Sequence, residues 1–117
     1  MPEEFSVVES PISPGAVALR VSGQLNARST PILVQKTRDV REQGKHLVLN
    51  LAQVTFIASS GIGGLLALVE EYREAGLNVR LVDLSDPVVS VIKLLNLDQF
   101  LSIDADERGA LDALEAA

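Results

Sequence analysis

The spacing of apolar residues changes several times along this chain, and each change marks an element. Val17, Leu19 and Val21 alternate with small or polar neighbours, the period-two pattern of a strand with one face on a core. A second run over 5–9, with Pro14-Gly15 as a turn, predicts an antiparallel hairpin of strands 5–9 and 16–22. At Thr30-Pro31 the period becomes helical. Leu33, Thr37 and Val40 then recur until Gly44, which predicts a helix over 30–43 started by a threonine cap. Leu47, Val48, Leu49 and Leu51 form a nearly unbroken apolar run, as expected of a central strand.

Beyond Gly61 the helical period returns through Ile62, Leu65, Leu66, Val69 and Tyr72, giving a second helix that ends at Gly76. Val79, Leu81 and Val82 predict a short buried strand. Ser85-Asp86-Pro87 opens a third helix that turns Val88, Val91, Ile92 and Leu95 inward and ends at Asn96. A short strand follows near 100–103. Asp104, with Glu107 three residues on, predicts a capping box for a last helix carrying Ala110, Leu111 and Leu114 toward the core.

Right-handed helical crossovers make the later strands parallel, while the opening hairpin adds an antiparallel member. The expectation is one α/β domain over 1–117, a mixed central sheet of four to five strands with about four helices. Arg20, Ser22, Asn50 and Arg80 interrupt the apolar pattern, so the helices are expected mainly on one face.

Composition narrows the function classes. A chain of 117 residues with 47% hydrophobic content can bury a core without staples. The absence of cysteine excludes disulfides, thiolate metal sites and cysteine nucleophiles. A net charge of −6 repels phosphate backbones and anionic lipid, and three phenylalanines, one tyrosine and no tryptophan leave few rings for base stacking. Nucleic acid and membrane are therefore disfavoured, and protein is the expected partner class. The start Met1-Pro2-Glu3-Glu4-Phe5 is acidic where a secretory signal would be basic, and no apolar run reaches the roughly 20 residues of a membrane span, so the cytoplasm is the expected location.

The informative stretch is Ala58-Ser59-Ser60-Gly61-Ile62-Gly63-Gly64, two serines and three glycines where the central strand hands over to a helix. A helix N-terminus presents unpaired N–H groups and a partial positive charge, which stabilises an anion by roughly 0.3–1 kcal/mol. A phosphate on either serine would fit there. Equally, one serine can be the helix cap while the glycines permit close packing, and the two readings are compatible. Each glycine costs up to about 1 kcal/mol against alanine inside a helix, less near its end, so another factor must favour them. Close approach of a neighbouring backbone is the expected reason.

Catalytic motifs fail here. The phosphate-loop spacing and its lysine are missing, and Ala58 and Ile62 stand where a hydrolase elbow around Ser60 needs glycines. His46, the only histidine, begins the strand whose far end feeds the serines, ~16 Å or more away. The carboxylates show no metal-ligand spacing. No catalytic residue, metal or cofactor is expected, and the chain is expected not to be an enzyme.

Val21-Ser22-Gly23-Gln24-Leu25-Asn26, then Leu47 to Leu51 running into Val54-Thr55-Phe56-Ile57, then Ser59-Ser60-Gly61-Ile62-Gly63, together resemble the STAS domain, specifically the bacterial anti-sigma factor antagonists. The resemblance covers nearly the whole chain. It implies a partner switch in which the unmodified protein binds an anti-sigma factor that is also a serine-kinase ATPase, freeing a sigma factor until phosphorylation reverses it. The phosphoacceptor falls on Ser60, with Ser59 beside it, and the implied partner-binding residues are Asn26, Ala58, Ser59, Ser60, Gly61, Ile62 and Gly63. The expected partners are that anti-sigma factor and, weakly, a second copy of the chain. The family commonly has aspartates where Asn26 and Ala58 stand, which favours an alternative: a STAS scaffold or transporter-associated module in which no serine is modified.

Overall fold

A computed structural model of the chain describes residues 4–116; the acidic start at Met1, Pro2 and Glu3 lies outside them. The elements run β1 (Ser6–Ser13), β2 (Ala16–Leu25), α1 (Thr30–Glu42), β3 (His46–Ile57), α2 (Ser59–Glu74), β4 (Val79–Val82) and α3 (Asp86–Leu94). A 3-10 turn (Leu97–Gln99), β5 (Ser102–Asp104) and α4 (Glu107–Ala116) complete them. The five strands form one sheet in the order β1-β2-β3-β4-β5, with β1 antiparallel to β2 and the other neighbours parallel. The mixed sheet expected from the crossovers is the one observed.

Leu19, Leu25, Leu47, Leu49 and Leu81 on one sheet face pack with Leu33 of α1, Leu68 of α2 and Val88 of α3 in the main core. A smaller cluster, Ala18, Val48, Val82 and Ala110, lies on the opposite face, where α4 docks with Leu114 half-buried beside it. Helices thus cover mainly one face, with α4 alone on the other. Polar pairs fasten α4: Arg20 donates to Glu107 at 2.8 and 2.7 Å, and Asn50 Nδ2 donates to Glu107 at 2.8 Å and to Asp83 at 3.1 Å. The Arg20 hydrogen bond holds the Glu107 carboxyl below the usual carboxylate range.

Several boundaries move from their expected places. β3 continues unbroken to Ile57 because two register shifts against β2 add residues to it, one between Arg20 and Ser22 and one between Gly23 and Gln24. Leu51, Val54 and Ile57 are consequently buried at a spacing of three, a pattern that neither strand nor helix periodicity detects. In α2 the buried stripe is Gly61, Leu65, Leu68 and Tyr72, so Ile62, Leu66 and Val69 flank it. Leu95 does not turn inward: it follows the end of α3 and is half exposed.

The caps differ too. Ser29, not Thr30, precedes α1, and Asn26 backbone oxygen accepts the Thr30 N–H at 2.9 Å. At α4 the predicted capping box is replaced. Asp104 sits in β5 and pairs with Arg80, Glu107 reaches Arg20, and Asp106 accepts the Gly109 N–H at 2.8 Å instead. Phe100 and Leu101 fall in the turn before β5, because the strand needs partners on β4 and finds them from Ser102 onward.

Candidate functional site

Parallel pairing carries the ends of β2 and β3 to the same edge of the sheet, with Leu25 beside Ile57. Ala58 then donates its N–H to Leu25 oxygen at 2.8 Å and, in extended conformation, becomes the residue before α2. The first helical bond runs from Ile62 N–H to Ala58 oxygen at 3.1 Å. Ser59 and Ser60 are therefore the first two residues of the helix, and both are exposed. Neither is the cap. The expectation that a serine caps the helix, and that the helix starts at Gly61, is corrected by this geometry: the strand-to-helix bond through Ala58 fixes the start two residues earlier.

The three glycines divide by what surrounds them. A Cβ on buried Gly61 would lie 2.9 Å from Leu25 oxygen and 3.0 Å from Leu25 Cβ, so here a backbone does approach as expected. A Cβ on Gly64 would collide with the Thr30 γ-methyl, a side-chain contact that sets the spacing of α1 and α2. Gly63 is exposed, and a Cβ there would meet nothing within 4 Å. Close packing does not explain it. Its cost to the helix is therefore not offset by any clash that a side chain there would make.

Asn26 follows β2 at the same edge. Its Oδ1 accepts the N–H groups of Arg28 at 3.0 Å and Ser29 at 3.1 Å, and Ser29 Oγ donates to Gln24 oxygen at 2.6 Å. The amide oxygen performs the loop-closing task that a carboxylate oxygen would perform, without adding a charge. Asn26, Ala58, Ser59, Ser60 and Gly61 are thus brought together. Ile62 is half-buried and packs on the core side, whereas Gly63 faces outward one turn from Ala58.

Residues 7–110 match the STAS domain family. The chain belongs to that family. This STAS domain is 27% identical over 103 residues to the anti-sigma F factor antagonist of Paenibacillus polymyxa, covering 86% of this chain and 88% of that one. Its fold matches the crystal structure of an anti-sigma factor antagonist from Mycobacterium paratuberculosis with a TM-score of 0.86 at 23% identity, over 98% of this chain and 97% of the other. It also matches the Bacillus cell fate determinant SpoIIAA in its phosphorylated form, with a TM-score of 0.72 at 21% identity, over 93% and 99% of the two chains.

His46 stands at the far end of β3 from the serines, its Nδ1 accepting the Asn78 N–H at 3.0 Å. Among the described residues no group of three or more acidic, histidine or cysteine side chains could hold a metal ion, and no helix is long and apolar enough to cross a membrane. Residues 51–69, from the bulged part of β3 through most of α2, contain no charged side chain. Phe56, opposite Gln24 of β2, and Ile32, in the first turn of α1, are both half exposed, and sequence reasoning gave neither a role. Phe56 was hidden by the period-three burial of β3; Ile32 simply breaks the helical period of α1.

Proposed function

We propose that this STAS domain is an anti-sigma factor antagonist that acts by binding rather than by catalysis. Its partner is an anti-sigma factor with a serine-kinase ATPase domain, and phosphorylation of Ser60 ends the binding. The observation that carries the reading is the pairing of an exposed Ser60 with an exposed Gly63 whose missing side chain nothing in the fold requires. A surface kept small beside an accessible hydroxyl suits a tight protein contact. The likeness to antagonists along nearly the whole chain supports the same partner class.

Phosphorylation would transfer the terminal phosphoryl group of ATP to Ser60 Oγ, the Oγ–P bond forming as the bond to ADP breaks and the Oγ proton being given up to solvent. The phosphate adds about −1.5 to −2 charge and three acceptor oxygens to the first turn of α2. Negative charge is favourable at that end of a helix, so the domain stays folded while its surface changes. The switch acts on docking, not on stability.

The test is binding of Ser60→Asp and Ser60→Ala variants to the purified anti-sigma factor. Binding by the alanine variant and loss of at least about 100-fold by the aspartate variant is expected, the scale of a like charge forced into an interface. Equal binding by the two variants would sink the switch.

A further inference from the structure

We infer that Arg28 is the charged contact of the docking edge and that the partner surface facing it presents a carboxylate. The inference rests on the partner-switch reading above and names the chemistry of the partner. Among the described residues Arg20, Arg38, Arg41, Arg73, Arg80 and Arg108 each reach a carboxylate within the chain. Arg28 does not. Among the described residues its side chain is exposed and takes part in no hydrogen bond or ion pair, although acids outnumber bases in the chain by 16 to 10.

Position gives that freedom a purpose. The Arg28 N–H is held by Asn26 Oδ1, and Asn26 follows Leu25, the residue against which Gly61 packs and to which Ala58 donates. Arg28 thus stands on a bonded turn just after β2, whose end meets the start of α2 through Leu25. From residue 21 to 35 it is the only charge, and residues 51–69 carry none. Glu4, whose backbone packs against Gly23, lies on the β1 side of the same edge. A chain of net charge −6 therefore offers one cation in the loop that follows β2, with residues 51–69 left neutral.

A guanidinium is suited to paired hydrogen bonds with a carboxylate, and a partner that supplies one gains both register and attraction against an otherwise acidic molecule. The same arrangement explains why a phosphate would be an effective off signal. Added near the Arg28 charge, about −1.5 to −2 outweighs it, and a partner that approached with a carboxylate is then repelled. Arg28 and Ser60 act on one contact.

The experiment uses the full chain and each purified anti-sigma factor with a serine-kinase ATPase domain from the source organism. Calorimetry compares wild type, Arg28→Gln, Arg28→Glu and Ser60→Asp at low and high NaCl. Arg28→Glu is expected to weaken binding about ten-fold or more and Arg28→Gln less, with a flatter salt dependence in both, as for loss of one interfacial charge pair. Replacing the facing partner carboxylate by arginine should restore binding to Arg28→Glu. The melting temperature should not move, because the Arg28 side chain bonds nothing in the fold. Wild-type affinity in Arg28→Glu, with binding still lost in Ser60→Asp, overturns the assignment of Arg28 and leaves the switch standing. Failure of every such anti-sigma factor to bind the unmodified wild type overturns both.

Discussion

Halfway along β3, Asn50 donates to Asp83 and Glu107, Arg20 meets Glu107, and nearby Arg80 pairs with Asp104 across β4 and β5. At the end of the same strand, Ala58, Ser59, Ser60 and Gly63 form a surface with no charge and little bulk. The first region spends its polar groups internally, fastening α4 to a sheet face whose apolar contact is small. The second leaves its hydroxyls exposed, as is Arg28 in the loop after β2. What separates the two is a pair of bulges in β3, which carry the strand past its β4 partner and out to the edge. A domain of this size can hold itself together with one set of groups and keep another free for a visitor only if the two sets are set apart in this way.

Substitutions can break that division, and the largest effect is expected where the edge touches the core. Gly61→Val should cost about 1–3 kcal/mol or more in urea unfolding, because added atoms would be forced against Leu25 oxygen and Leu25 Cβ. An unchanged midpoint would mean that β2 and α2 are not in fixed contact. Glu107→Gln should cost about 0.5–1 kcal/mol at neutral pH, the range for a partly exposed ion pair. Since Arg20 lowers the Glu107 pKa in the folded state, its contribution is present above the ordinary carboxylate value of about 4.3 and is lost as pH falls through the lower folded value. Wild type and variant should therefore converge in stability at acid pH; a gap that stays constant from pH 7 to pH 2 would contradict the ion pair. Gly63→Ala should leave stability unchanged or raise it by no more than about 0.8 kcal/mol, since the new methyl meets nothing and helix propensity improves. The same variant should weaken partner binding, and a calorimetric titration showing full affinity would remove the reason given for this glycine.

Much of the fold could be read from the chain because strand and helix periods are plain in Val17 to Val21, Leu33 to Val40 and Leu47 to Leu51. Where the period failed, a local device had replaced it. The bulges bury Leu51, Val54 and Ile57 every third residue, so the end of β3 carries no recognisable pattern. The start of α2 was hidden because Ser59 and Ser60 look like caps, whereas the cap position is filled by Ala58, which is selected by a backbone bond to Leu25 rather than by its side chain. Asp104 and Asp106 offer equal capping chemistry, and only the pairing of β5 with β4 decides between them. The serine site itself was legible, since two serines before three glycines are local in sequence. Its neighbours were not: that Arg28 lacks an internal partner depends on where every carboxylate of the folded chain comes to rest.

The central claim is that a phosphate on Ser60 alters docking while leaving the domain folded. Prepare the protein quantitatively phosphorylated at Ser60 and in unmodified form, then titrate each into the same anti-sigma factor and record the melting temperature of each alone. The prediction is tight binding by the unmodified protein, none measurable by the phosphorylated one, and closely similar melting temperatures. Equal affinity of the two forms, or unfolding on modification, would contradict it.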